Sequence, residues 1–298
     1  MRRNLVIARV GRKSIHHHWL EGEGSRNWDL RLVPYQEVDA ADDDYVIGDV
    51  IPGPKWSGIR QLLNEWDGWR AYDHVWLPDD DILTDAPTVN RLFDTARDLE
   101  LQLFAPALDE RSHYAHFITM RNRRFFARAV GFVEIMVPGF STSALERLLP
   151  TLELTPTGWG WGLDSLWPKL LGYENVGIID GTSVTHTRPV GQMRDEALSA
   201  AVLAESDAIM ADYSCAQVHA TFGGWGQDLS PLTHTPDELL AELVRGFDFL
   251  IAHDPRILGW LMRFQQPHFK WPDYPVAGTP TAMPRGHQGG RTRLTAPP

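Results

Sequence analysis

The sequence has few of the features that mark secreted or membrane-spanning proteins. It contains one cysteine, Cys215, which excludes an internal disulfide framework and a thiolate cluster for zinc. It lacks any run of about 18 apolar residues, and the apolar stretch NLVIARV near the N-terminus is too short for a secretory signal. We therefore expect a cytoplasmic protein.

Basic residues are also scarce. The chain has 28 Lys and Arg against 39 Asp and Glu, which gives a formal net charge of -11. Proteins that bind nucleic acid need a basic face, so we expect no nucleic acid among the partners. A phosphorylated ligand can still bind an acidic protein through a metal ion. The hydrophobic content of 43% is sufficient for a folded core.

Strand-like and helix-like segments alternate through the N-terminal part of the chain, which predicts an α/β fold with a mostly parallel central sheet flanked by helices. Residues 1–192 are interpreted as the core, 193–275 as a helical C-terminal extension of the same domain, and 276–298 as a flexible tail rich in Pro and Gly. A glycine-rich stretch between the two helical patterns of the extension is interpreted as a loop. The predicted strands are 4–10, 28–35, 45–50, 72–78, 101–108 and 175–186.

Three consecutive aspartates occur twice. The copy at 42–44 lies in a polar stretch, where aspartates form solvated turns. The copy at 79–81 directly follows the apolar segment YDHVWL, at the carboxyl end of a predicted inner strand, where open α/β sheets bind ligands. Carboxylate oxygens there suit Mg²⁺ or Mn²⁺. The same aspartates could instead cap the helix that follows, and the triplet alone does not separate the two interpretations.

Two further segments carry candidate site residues. His186 ends the last predicted strand, although a lone histidine is more often structural than a metal ligand. The segment GWGWGLD places Trp159 and Trp161 on a glycine-rich backbone, and paired aromatic faces suit stacking on sugar rings. Asp164 ends this segment, where it suits either a helix N-cap or a general base, and from the segment alone the cap is favoured.

Together these segments resemble the family called domain of unknown function 707, whose members are similar to GT-A-type glycosyltransferases. The resemblance runs in order from about residue 4 to residue 190. In the aspartate motif, Pro78 and Asp80 depart from the Trp-Asp-Glu-Asp tetrad of plant members, whereas the outer carboxylates Asp79 and Asp81 are kept. The motifs that carry the resemblance are ARVGRKSIHHHWL, GPKW, YDHVWLPDDDI, FAPALD, GFVEIMVPGFS, GWGWGLD and NVGIIDGTSVTHTRPVG.

The resemblance implies a GT-A-like (Rossmann-like) fold and a metal-dependent glycosyltransferase. It implies that Asp79, Asp81 and His186 bind Mn²⁺ or Mg²⁺, and that Asp164 is the general base. The residues to which it assigns donor contacts are Arg9, Gly11, Lys55, Asp79 and Asp80. The residues to which we assign acceptor contacts are Glu134, Trp159 and Trp161.

Two of these assignments have a structural alternative. A lysine such as Lys55 is more often a surface residue than a phosphate ligand. Glu134 lies among apolar residues, where an unpaired charge is costly, so it should meet either an acceptor hydroxyl or a structural partner such as an arginine.

The leading hypothesis is an inverting transferase that moves a sugar from a nucleotide-sugar donor to a glycan or lipid-linked acceptor, in bacterial surface polysaccharide synthesis. The alternatives are a non-catalytic glycan- or nucleotide-binding protein with the same fold, and a nucleotidyltransferase. The arginine-rich segment 120–128, MRNRRFFAR, leaves peripheral association with the inner membrane open. A solvated loop anchored by Phe125 and Phe126 is the favoured interpretation of this segment.

Overall fold

A computed structural model describes residues 2–38, 45–190 and 195–265. The aspartates at 42–44 and the predicted tail 276–298 lie outside the described residues. The strands are β1 (Asn4–Val10), β2 (Trp28–Pro34), β3 (Val46–Ile47), β4 (His74–Trp76), β5 (Ile82–Leu83), β6 (Leu103–Leu108), β7 (Ala127–Gly131), β8 (Gly139–Ser141), β9 (Val176–His186), β10 (Val218–Trp225) and β11 (Pro231–Leu232). The α-helices are α1 (Lys55–Glu65), α2 (Ala86–Asp98), α3 (Thr142–Leu148), α4 (Leu163–Leu170), α5 (Glu196–Asp212), α6 (Pro236–Gly246), α7 (Asp248–His253) and α8 (Arg256–Gln265).

One mixed sheet holds these strands in the order β11-β10-β7-β9-β6-β8-β4-β1-β2-β3, and β5 pairs with β9 beside this path. The pairs β1–β2, β1–β4, β2–β3 and β6–β9 are parallel. β8 is antiparallel to both β4 and β6, so β4 and β6 also run the same way. The strands β1, β2, β3, β4, β6 and β9 therefore share one direction, which confirms the predicted α/β fold with a mostly parallel central sheet flanked by helices.

The interior of the sheet explains its sequence. Every residue of β1 is buried, as expected for a parallel strand that is covered on both faces. Helix α1 packs against β1 and β2, and α2 packs against β9. The tryptophans among the largest fully buried side chains are Trp19, Trp28, Trp56, Trp69, Trp76 and Trp167.

The start of α2 decides between the two interpretations of the aspartate triplet 79–81. The N-cap of this helix is Asp85, whose side chain accepts a hydrogen bond from the Thr88 amide at 2.8 Å. Pro87 lies at the first positions of the helix, where its missing N–H costs nothing. The triplet therefore does not cap α2, and its carboxylates need another explanation.

The C-terminal extension belongs to the same sheet as the core. The stretch between α5 and α6, which the sequence analysis interprets as a loop, contains β10, and β10 pairs antiparallel with β7. The glycines in this strand, Gly223 and Gly224, conceal its apolar alternation in the sequence. No helix in the described part of the chain combines the length and the apolar content that a membrane crossing needs.

Candidate functional site

The aspartate triplet and the end of β9 meet at the carboxyl edge of the parallel strands. Ile82, the first residue after the triplet, pairs with His186, the last residue of β9. The Asp81 carbonyl accepts hydrogen bonds from the Thr187 amide at 3.1 Å and from the Thr187 hydroxyl at 2.8 Å. The backbone therefore fixes Asp81 next to His186, although about a hundred residues of sequence separate them.

A cavity of about 320 Å³ opens at this edge. Its wall combines carboxylates, cations and aromatic rings, the set of groups that suits a ligand with both charged and ring-shaped parts. The predicted site residues that line it are Lys55, Asp79, Asp81, Glu134, Trp159, Trp161 and His186. The predicted site residues that do not line it are Arg9, Gly11, Asp80 and Asp164.

Lys55 and Asp79 form an ion pair in the cavity wall, with 2.7 Å between Nζ and Oδ1. The ammonium also donates to the carbonyls of Ile135 and Met136, each at 2.8 Å, so its three N–H groups are all used. Burial raises the pKa of Asp79 and lowers the pKa of Lys55, while the opposite charges of the two partners counter these shifts. Lys55 is thus a partner of Asp79 and not the surface lysine of the alternative interpretation.

His186 and Asp81 have the arrangement of two ligands for one cation. His186 Nδ1 lies 2.6 Å from the His113 carbonyl, an acceptor, so Nδ1 carries the proton and donates it. The other nitrogen, Nε2, lies 3.3 Å from Asp81 Oδ2, and a proton on Nε2 makes this contact an ion pair. Burial lowers the pKa of His186, but the hydrogen bond to Asp81 and its charge outweigh burial and raise it.

The residues present fit a divalent ion that keeps part of its water shell. Asp81 Oδ1 is buried and has no hydrogen-bond partner among the described residues, so this carboxylate oxygen is open to a cation, and His186 Nε2 becomes a second ligand once it has lost its proton. Within residues 2–38, 45–190 and 195–265, no group of three His, Cys, Asp or Glu side chains is arranged to hold a metal ion. A two-ligand site suits Mg²⁺ or Mn²⁺, because such ions take further ligands from water and phosphate.

Asp80 does not line the cavity, because it lies in a turn that the Ile82 amide closes by donating to the Asp79 carbonyl at 3.4 Å. Its Oδ2 accepts hydrogen bonds from the Gly11 amide at 3.1 Å and from the Tyr35 hydroxyl at 3.2 Å. Its Oδ1 lies 3.1 Å from Arg188 Nη1. The structure therefore does not bring Asp80 to the cavity, where a donor contact was predicted, and gives it the role of holding Arg188.

Gly11 and Arg9 also lie outside the cavity. A Cβ on Gly11 would lie 2.3 Å from the Tyr35 hydroxyl oxygen, so glycine is required there by close packing. Arg9 is 4% exposed, and its guanidinium donates to the carbonyls of Val33, Pro34, Ile51 and Gly53. Burial lowers the pKa of Arg9 to about 10. Neither residue lines this cavity, so their assignment as donor contacts stays a prediction, and Arg9 ties β1 to the segment before α1.

Two buried carboxyl groups adjoin at the far side of the cavity. Burial raises the pKa of Glu134 to about 8, and the charge of Asp164 adds to this shift. Burial likewise raises the pKa of Asp164 to about 7, against hydrogen bonds from Ser165. The N-cap of α4 is Gly162, and Asp164 is the second residue of the helix, so the N-cap interpretation of Asp164 is wrong.

The tryptophan-glycine loop, residues 157–163, forms another wall of the cavity. Gly158, Gly160 and Gly162 all have positive φ, and a Cβ on Gly160 would lie 2.3 Å from the Trp56 ring. The extension anchors this loop: Glu205 of α5 accepts hydrogen bonds from the Thr157 amide and hydroxyl, both at 2.6 Å. The alternation of glycine and tryptophan in the sequence thus reflects a tight backbone path that leaves both rings partly exposed at the cavity.

Three of the four arginines in the segment 120–128 are engaged in ion pairs, and Arg121 is exposed. Arg128 is fully buried and pairs with Asp180, Arg123 pairs with Glu110, and Arg124 pairs with Glu242. Phe125 is buried and Phe126 packs partly buried against the core. The predicted anchoring of the segment by its two phenylalanines is confirmed.

Arg188 is the charged cavity residue that the sequence analysis did not single out. It stands two residues beyond His186, it lines the cavity, and its side chain also donates to the Lys13 carbonyl. Its position after a strand that carries a candidate ligand was the available signal. A cation at this place is the kind of group that binds phosphate oxygens.

No protein-family model matches the sequence, and no curated protein matches it. The resemblance to domain of unknown function 707 therefore stays a prediction. Solved structures that are similar include S. aureus TarS 1-349, at 11% identity and a TM-score of 0.43, over 72% of this chain and 73% of that chain. They also include TarS 1-349 in complex with UDP-GlcNAc, at 10% identity and a TM-score of 0.44, over 89% and 72%. At these values the similarity carries no functional argument.

Proposed function

We propose that this protein is a metal-dependent glycosyltransferase that takes a sugar from a nucleotide-sugar donor. The observation that supports the proposal is the pair formed by Asp81 and His186 at the carboxyl edge of a mostly parallel sheet, in which Asp81 Oδ1 is buried without a hydrogen-bond partner among the described residues. Ligands of open α/β folds bind at this edge. The proposal agrees with what the motif resemblance implies. The diphosphate, the sugar and the acceptor are each assigned to a different group of residues.

The charges of the cavity favour a diphosphate together with a cation. Asp79 and Asp81 would repel a diphosphate that entered alone, and Lys55 is already engaged by Asp79. A divalent ion on Asp81 and His186 would reverse the local charge, and Arg188 would supply a further donor to phosphate oxygens. When bound, the ion supplies Lewis-acid stabilisation of the departing diphosphate.

The aromatic wall favours a sugar over other groups carried by nucleotides. Trp159 and Trp161 line the same cavity as the carboxylates, and tryptophan faces bind the apolar faces of sugar rings. A nucleotidyltransferase has no need of such rings, which is why we place this activity behind sugar transfer.

The remaining parts of the proposal concern the acceptor. We propose transfer with inversion to a glycan or lipid-linked acceptor, as in bacterial surface polysaccharide synthesis, at the cytoplasmic side of the inner membrane. A single-displacement transfer needs one base for the acceptor hydroxyl, and two buried carboxyl groups, Glu134 and Asp164, adjoin the cavity.

Calorimetry with UDP, GDP and dTDP, each with and without Mn²⁺, tests the donor half of the proposal. We expect one of them to bind only with the metal, and Asp81→Asn to weaken that binding at least about tenfold, since one charged metal ligand is worth more than ~1.4 kcal/mol. Asp98→Asn, an exposed aspartate at the end of α2, is the matched control and should bind as the wild type does.

The results separate the proposed function from its alternative. Metal-dependent binding, followed by consumption of the corresponding nucleotide sugar, supports a transferase. Metal-dependent binding without any turnover points to the non-catalytic binding protein. If none of the three nucleotides binds in either condition, the donor site proposed here is wrong.

A further inference from the structure

Glu134 is a buried carboxylate in the cavity wall that has no counter-ion bonded to it. It lies between β7 and β8, it lines the cavity, and its residue is 8% exposed. Its Oε2 has no hydrogen-bond partner among residues 2–38, 45–190 and 195–265. A buried carboxylate without donors is costly, so this residue calls for a function.

The nearest cation does not neutralise Glu134. Lys55 contributes to the charge around Glu134, but its three N–H groups are taken by Asp79 and by the carbonyls of Ile135 and Met136. The carboxylate of Asp164 lies near enough to disfavour a second negative charge on Glu134. Both circumstances favour the protonated form of Glu134, so this carboxyl group acts as a base at a pH near or above its raised pKa of about 8.

Asp164, the base implied by the motif resemblance, is less suited to the same task. It does not line the cavity, and its Oδ1 accepts a hydrogen bond from the Ser165 hydroxyl at 3.1 Å. An atom that must take a proton from a bound hydroxyl has to reach that hydroxyl, directly or through one water molecule. Of the two adjoining carboxyl groups, Glu134 is the one whose side chain forms the wall.

We infer that Glu134 is the residue that accepts the proton of the acceptor hydroxyl, and that Asp164 acts as a positioning residue behind it. The inference rests on the proposed function. In the step, the acceptor O–H bond breaks and its proton passes to a carboxylate oxygen of Glu134. The acceptor oxygen bonds to the anomeric carbon, and the bond from that carbon to the diphosphate breaks with its electron pair leaving on the nucleoside diphosphate.

The first test compares Glu134→Gln, Asp164→Asn and a control, Glu153→Gln, an exposed glutamate near the end of a 3-10 helix. The substrates are UDP-, GDP- and dTDP-sugars with water as the acceptor. Glu134→Gln should bind the nucleoside diphosphate as the wild type does and lose turnover by about 10²–10⁴-fold. Asp164→Asn should lose less than Glu134→Gln, and Glu153→Gln should lose nothing.

The second test uses azide, a nucleophile that needs no deprotonation. Glu134→Ala leaves space for this anion, so sodium azide should restore donor consumption and yield the glycosyl azide. Asp164→Ala should show no such rescue. A residue that only orders the cavity or binds the acceptor would give no rescue in either variant, which separates catalysis from a structural role.

The outcomes also separate this inference from the proposed function. It is overturned if Asp164→Asn abolishes turnover while Glu134→Gln keeps more than a tenth of it, or if azide rescues only Asp164→Ala. If the wild type binds a nucleoside diphosphate but consumes none of the sugar donors, the role inferred for Glu134 is wrong and the proposed donor binding is supported. If the wild type binds no nucleotide at all, both the role of Glu134 and the proposed donor binding are wrong. Diphosphate binding by Glu134→Gln shows that this variant is folded.

Discussion

Arg128 and Asp180 form an ion pair in which neither side chain has any exposed surface. Arg128 Nε lies 2.8 Å from Asp180 Oδ2, and Asp180 Oδ1 also accepts from the Asn122 amide at 2.7 Å. Burial raises the pKa of Asp180, and the charge of Arg128 opposes this shift. The pair joins β7 to β9 in the middle of the sheet.

We expect Asp180→Asn to destabilise the protein by about 3 kcal/mol, because removal of one partner leaves a buried charge uncompensated. Urea unfolding should show a lower midpoint with an unchanged slope. Asp98→Asn, whose partner Arg97 is exposed, should change the free energy of unfolding by less than about 0.5 kcal/mol. The double substitution Arg128→Met with Asp180→Leu should regain part of the loss, and equal loss in the single and double variants would contradict this account.

Single residues also show how far the sequence could predict the site. The residue types and their order predict that Asp79, Asp81, His186 and the tryptophans belong to one ligand-binding edge, and the structure brings them to one cavity. The motif does not predict the direction in which the side chain of the middle aspartate points. Asp80 lies in a turn, and its bonds to Gly11 and Arg188 depend on where distant segments pack.

At the scale of elements, the tryptophan-glycine loop depends on α5. Thr157 donates two hydrogen bonds to one carboxylate, and hydrogen bonds to charged groups contribute more than neutral ones. Besides these bonds, the Trp56 amide donates to the Gly158 carbonyl at 3.0 Å. The glycines themselves provide no rigidity, so the position of both tryptophan rings rests on these attachments.

We expect Glu205→Gln to loosen this loop without unfolding the protein. A glutamine has one acceptor oxygen where the glutamate has two, so one of the Thr157 bonds is lost and the other is weakened. Hydrogen exchange followed by mass spectrometry should show faster exchange in a peptide that covers residues 157–163, with the strands of the sheet unchanged. Asp207→Asn, an exposed position on the same helix, is the control. Exchange that is unchanged in Glu205→Gln would show that other contacts hold the loop.

The accuracy of the sequence-based prediction also differs from one element to another. β1, β2, β6 and β9 lie within two residues of their predicted bounds, because each carries a clear apolar pattern. β10 was missed because its glycines interrupt that period and because its pairing partner, β7, is distant in the sequence. The second helical pattern of the extension covers residues 236–254 in the sequence. In the structure it divides into α6 and α7 at Phe247, which is buried.

On the scale of the whole molecule, the contact between core and extension contains one buried histidine, His219, and one half-buried histidine, His116. His116 precedes a turn of 3-10 helix in the core and His219 lies on β10, with 4.9 Å between their ring centroids. Phe132 and Phe264 pack against His219, and its Nε2 has no hydrogen-bond partner among the described residues. Burial lowers the pKa of His116 to about 4 and that of His219 to about 3, the latter with a contribution from His116.

These shifts predict that stability falls as the pH drops below about 6.5. The unfolded chain protonates both histidines near pH 6.5, whereas the folded protein holds them neutral until about pH 4, so protons bind the unfolded state preferentially in this window. His219→Phe should remove the part of this loss that His219 contributes, which amounts to about 1.5 kcal/mol in the free energy of unfolding between pH 6.5 and pH 5.

Urea unfolding at several pH values measures this difference. His253→Phe, at an exposed position at the end of α7, is the control and should leave the pH dependence of the wild type in place. An unchanged slope in His219→Phe would mean that other groups set the acid sensitivity of the fold.

The attachment of the tryptophan-glycine loop to α5 has a consequence for the descent of this protein. A recombination event with its breakpoint between β9 and α5 would join the loop of one ancestor to the helix of another, and Thr157 would then face whatever residue the new helix offers in place of Glu205. The hydrogen bonds from Thr157 to Glu205 therefore tie one wall of the cavity in the core to a helix of the extension, and a change at either residue alters both.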